Sequence, residues 1–133
     1  MQRIELLLAG LNELSGTKLT LSYRAGEVVI SFPDGRTQSV FIHRVGASYV
    51  LTSRVIGNTR VGSMPKADLA RQIWVRNRAT DVVEFTLDES GRLIGRIVQG
   101  AETFDRNELE FYLVSLAQEC DRLEYLLTGR DQM

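Results

Sequence analysis

The chain has 133 residues, 44% hydrophobic and 25% charged, with two prolines and a formal net charge of −1, a composition that excludes a disordered or fibrous protein and suits one globular domain spanning residues 1–133. The longest unbroken apolar run is a few residues, as in Leu6 to Ala9, far below the roughly 20 that cross a bilayer, and the opening Met1-Gln2-Arg3-Ile4-Glu5 lacks the apolar core of a secretory signal, so a cytoplasmic location without membrane contact is expected. Cys120 is the only cysteine, which excludes an internal disulfide and a cysteine metal cluster and reads as a small core residue.

Ile4, Leu7, Leu8, Leu11 and Leu14 recur at helical spacing, which predicts a first helix stopped by Ser15-Gly16. From Leu19 to about Ile56 the pattern changes to runs of Val, Ile, Phe, Tyr and Thr, broken at Ala25-Gly26, Pro33-Asp34-Gly35 and Gly46-Ala47. This predicts three or four antiparallel strands. Gly57, Asn58, Gly62 and Ser63 mark Ile56 to Met64 as a loop, and Pro65 suits the first turn of a second helix running to about Asn77. Its expected apolar stripe is Leu69, Ala70, Ile73 and Trp74, with Arg71 and Arg78 on another face.

Val82 to Leu87 and Leu93 to Val98 read as a hairpin joined by Asp88-Glu89-Ser90-Gly91. Val83, Phe85 and Leu87 would share one face, while Ile94 and Val98 would join Val82 on the other and hint at cover by another element or subunit. Asp105 and Glu108 form a capping box for a last helix. Leu109, Leu113, Leu116, Cys120, Leu123 and Leu127 form its seam, and Gly129 ends it. Phe111, Tyr112, Val114 and Leu126 widen the apolar arc, so this helix is expected to lie across the sheet. The fold class is therefore α+β, an antiparallel sheet with helices in the order α-β-β-β(-β)-α-β-β-α.

The charge is unevenly distributed. Met1 to Arg78 holds 11 Lys and Arg against 5 Asp and Glu, and Ala79 to Met133 holds 5 against 12. The two halves are expected to attract each other, within one chain or between two copies; a second reading has the basic half meet nucleic acid.

Gly35-Arg36-Thr37-Gln38-Ser39-Val40-Phe41-Ile42, Val83-Glu84-Phe85-Thr86-Leu87-Asp88-Glu89-Ser90-Gly91, and the closing helix Leu109 to Gly129 with Asp121 inside it resemble the type III secretion chaperone-like fold, and within it a bacterial family labelled sensory transduction regulators. The likeness lies in core and turn residues and covers most of the chain. It implies frequent homodimers and the binding of other proteins without catalysis.

His43 is the only histidine and stands in a strand-like run without partners for a triad or metal site. Asp88, Glu89, Glu102 and Asp105 fit no calcium loop; the turn explains the first two and the helix cap the last. No phosphate cradle, nucleophile elbow or paired-cysteine site occurs. No cofactor or metal is expected. Trp74, the only tryptophan, stands beside Arg71, Arg76 and Arg78 on the second helix and is either a core residue or an interface anchor, because Trp and Arg dominate binding surfaces. The expected function is a non-enzymatic protein-binding module, chaperone-like or a regulatory adaptor, that dimerises and meets a partner through Arg71, Trp74, Arg78, Val82 and Ile94. The alternative is a nucleic-acid-associated regulator using Arg54, Arg60, Arg71, Arg76 and Arg78.

Overall fold

A computed structural model of the chain describes residues 2–14 and 16–129. Its elements run α1 (Gln2–Leu8), β1 (Thr20–Arg24), β2 (Glu27–Ser31), β3 (Thr37–Val45), β4 (Ser48–Ile56), α2 (Asn58–Ser63), α3 (Lys66–Ala79), β5 (Glu84–Leu87), β6 (Leu93–Gly100) and α4 (Arg106–Thr128). The strands form one six-stranded sheet ordered β1-β2-β3-β4-β6-β5. Every neighbouring pair is antiparallel, as expected from the strand and turn pattern.

The turns explain why the strands lie in this order. Ala25 and Gly26, at φ +51 and +87, make the two-residue turn from β1 to β2 with Arg24 opposite Glu27, the mirror-image turn geometry that follows strand twist. Gly35 N donates to Phe32 O at 3.0 Å, closing the Pro33-Asp34-Gly35 turn. In the β5–β6 hairpin, Asp88 Oδ1 accepts from the backbone N–H groups of Ser90 and Arg92, both at 2.9 Å. These contacts hold its carboxyl below the usual aspartate range.

Two helical expectations need correction. The first helix ends at Leu8, not at Ser15-Gly16; Gly10 takes φ +73, and the chain then runs extended, with Leu21 N donating to Asn12 O and Leu14 N to Leu19 O, both at 3.1 Å. Leu14 is still buried and Leu11 half-buried against the core, so a spacing that mimics a helix is satisfied by extended backbone. Ser15 lies outside the described residues. The presumed loop from Ile56 to Met64 contains α2, a helix with no buried residue, which no apolar periodicity could announce.

The last helix follows its sequence signals closely. Glu108 N donates to Asp105 Oδ1 at 2.8 Å and Asp105 N to Glu108 Oε1 at 3.3 Å. Gly129, at φ +68, closes the other end by donating to Tyr125 O. Leu109, Leu113, Leu116, Cys120 and Leu123 are all fully buried, and α4 lies across β3, β4 and β6. Leu21, Val28, Ile30, Val40, Ile42, Leu51, Phe85, Leu93 and Ile97 supply the sheet's side of this core.

Close approach of α4 to the sheet depends on Gly95. A Cβ there would lie 2.6 Å from Cys120 Sγ, 3.0 Å from Val83 Cγ1 and 3.3 Å from Leu116 Cδ2. Gly95→Ala should therefore lower stability by about 1–3 kcal/mol, read as a shifted denaturant midpoint, and Cys120→Ala in the same chain should restore part of the loss. An unchanged midpoint would show that α4 can withdraw at no cost. Burial pushes the Cys120 thiol up to about 12. A thiol-specific reagent at mildly alkaline pH should accordingly leave the native chain unlabelled and modify one thiol after denaturation; rapid native labelling would place Cys120 outside a stable core.

Candidate functional site

Helix α3 is fixed on one side and open on the other. Leu69 is buried and Ile73 half-buried. Arg76 Nη2 reaches Glu119 Oε1 on α4 at 3.3 Å. Asn77 uses both ends of its amide on the edge strand: Phe85 N donates to Oδ1 at 2.7 Å, and Nδ2 donates to Phe85 O at 3.1 Å. The free edge of β5 is thereby capped by a side chain.

Trp74 is not part of the apolar stripe. At 3.6 residues per turn Ile73 lies about 40° from Leu69, but Trp74 lies about 140° away. Trp74 is 61% exposed, and Ala70 is exposed as well. The Arg78 guanidinium sits 4.8 Å from the centre of the Trp74 ring, a cation–π contact worth about 0.5–1 kcal/mol at an exposed site. Arg71 is exposed one turn earlier on the same face. Three of the five expected contact residues thus share one surface, held by a helix whose opposite side is anchored.

Val82 and Ile94 stand outside α3, before β5 and on β6. Val82 precedes β5 and is half-buried against the core. Ile94 and Val98 belong to the face of the sheet opposite α4, where Phe41, Val45 and Val98 are 40%, 60% and 55% exposed.

On that face β3 and β4 part. Their pairing ends at Val40 opposite Ser53; Thr37–Ser39 continue with β2, and Arg54–Ile56 continue with β6 through a bulge. Buried polar groups bridge the start of the gap. Gln38 Nε2 donates to Ser53 Oγ at 2.7 Å and to Arg54 O at 2.6 Å, and Ser53 Oγ donates to Ser39 O at 2.6 Å. A cavity of about 350 Å³ opens beside this network, with Thr37, Ser39 and Phe41 on the β3 wall and Arg54 and Arg92 facing them. Its trace in the sequence is polar residues at two inward positions, Gln38 and Ser53, within the runs Thr37-Gln38-Ser39 and Thr52-Ser53-Arg54.

The five arginines of the nucleic-acid reading do not form one surface. Arg54, on the sheet face opposite α4, and Arg60 of α2 line one cavity, Arg71 and Arg78 are neighbours on α3, and Arg76 is tied to Glu119. The charge asymmetry is partly resolved inside one chain, where Arg36–Asp121 at 3.1 Å and Arg76–Glu119 join the basic and acidic halves. Burial outweighs the pull of Arg36 and leaves the Asp121 carboxyl above the usual range. His43 is exposed on β3. Among the described residues no group of three metal-ligating side chains comes together, and no helix is long and apolar enough to cross a membrane.

The sequence matches no family model, and no curated protein is significantly similar to it. Solved structures are similar over nearly the whole chain. A chain of the ExsC–ExsE complex shares 19% identity at a TM-score of 0.61, covering 95% of this chain and 94% of that one. A chain of the ExoU–SpcU heterodimer from the type III secretion system of Pseudomonas aeruginosa shares 16% identity at 0.59, with 96% and 99% covered. The structure of the Yersinia pestis type III secretion chaperone SycH with a fragment of YscM2 matches at 15% identity and 0.52, with 92% and 97% covered. The sheet order, the capping helix across it and this full-length correspondence together give the chain the type III secretion chaperone-like fold.

Proposed function

We propose that the chain is a non-enzymatic protein-binding module, a single domain acting in the bacterial cytoplasm as a chaperone-like or regulatory adaptor. It associates as a homodimer and holds a protein partner through the exposed face of α3. The observation that carries this reading is Trp74, 61% exposed with Arg78 stacked across its ring. Exposing the chain's only tryptophan on a rigid helix leaves a large apolar surface in water, and Trp and Arg are the residues that most often dominate binding surfaces. The likeness to chains solved in complexes with protein partners supports the same reading. Arg71 extends the face by one turn. Val82 is half-buried against the core just before β5, and Ile94 belongs to a second surface on the sheet.

Trp74→Ala tests this directly. Sedimentation equilibrium should show self-association weakened by at least about tenfold, since loss of a dominant interface residue costs about 2 kcal/mol or more, while the thermal midpoint at concentrations too low for association stays nearly unchanged. A monomer at every concentration, together with nuclease-resistant partner capture that is equal for the wild-type and Trp74→Ala chains, would overturn the assignment.

A further inference from the structure

We infer that the slot where β3 and β4 part is a second binding site, and that its occupant is an extended protein segment carrying a carboxylate next to an apolar side chain. The inference rests on the protein-binding reading above but uses a different surface.

Three cavities meet at Arg54. The one of about 350 Å³ runs through the split toward Glu124 of α4. A second, about 280 Å³, continues over Phe41, His43, Thr52, Arg92 and Ile94 on the open sheet face. The third, about 330 Å³, leads from Arg54 past Gly57 and Arg60. Arg54 is common to all three linings, and the unpaired strand edge of β3 along one wall suits an extended chain better than a compact ligand.

Charge selects the occupant. Arg92 and Arg96, the nearby arginines of β6 and its turn, are each held by a carboxylate, Arg92 by Asp88 and Arg96 by Glu84, both at 2.8 Å. Arg54 stands between β3 and β6 with no ion pair or hydrogen bond from its guanidinium among the described residues. A guanidinium presents a planar fork of donors that matches a carboxylate. Phe41, 40% exposed, and half-buried Ile94 flank it, so an apolar side chain beside that carboxylate would be covered. The β3 wall offers more than side chains, because beyond Val40 the chain from Thr37 to Ser39 has β2 as its strand partner on one side and the slot on the other.

The test uses the full chain and a fluorescein-labelled decapeptide alternating Glu with Leu, with Gln and Lys counterparts, read by fluorescence anisotropy. The Glu peptide should bind and weaken as salt is raised. Arg54→Ala should weaken it by roughly tenfold or more, the cost of a hydrogen bond to a charged group, and Arg54→Lys by less. Trp74→Ala should leave this affinity unchanged. Amide resonances of Thr37 to Phe41 and of Arg54 and Val55 should shift on titration. Equal binding of the Gln peptide, indifference to Arg54→Ala, absence of binding by the Glu peptide, shifts confined to α3, or displacement by single-stranded DNA as effective as by unlabelled peptide would each overturn the slot as a carboxylate-reading site. If those results come while association still depends on Trp74, the slot fails alone; if Trp74-dependent association fails while the Glu peptide still binds through Arg54, only the α3 assignment falls.

Discussion

The seam of α4 from Leu109 to Leu123 must be buried, and the inner face of the sheet buries it. Each of these leucines contributes about 1.5–3 kcal/mol by leaving water, so the alignment of a roughly 35 Å helix over β3, β4 and β6 is strongly determined. That alignment requires β6 to present no side chain where α4 comes nearest, which is why Gly95 faces Cys120. The remaining helices then take the space left: α1 beside α4, and α3 against β5.

Because one long helix and α1 occupy a single face, the other face of the sheet and the outer side of α3 are left to solvent. These two surfaces have different physical character. The α3 surface is a convex ridge built on an aromatic ring and a stacked guanidinium. The sheet face is a groove whose polar floor comes from strand separation, with Gln38 and Ser53 satisfying the groups that the broken ladder would leave without partners. A ridge and a groove on separate faces can be engaged independently.

Much of the fold was legible in residue order. Strong signals came where one residue type has a single physical use: Gly91 and Gly35 at left-handed turn positions, the Asp105–Glu108 box, and the seam of α4. Signals failed where one pattern has two solutions. Leu11 and Leu14 sit at a spacing that a helix and an extended return both bury, and Gly10 decides between them. Trp74 was ambiguous between core and surface because its side of α3 depends on where Arg76 and Asn77 find their partners, and those lie on α4 and β5, distant in sequence. The split between β3 and β4 left only a faint sign, polar residues at the inward positions Gln38 and Ser53, because a paired strand can also carry such residues.

The amide of Asn77 has a consequence beyond anchoring α3. Sheets of this kind can polymerise through an uncovered border strand, each molecule adding its ladder to the next. Here Phe85 already has both main-chain groups occupied by one side chain, so growth of the sheet past β5 would first require α3 to peel away. Copies of the chain that meet at this end are thereby restricted to joining through side chains, which favours a finite, dissociable assembly over a fibre.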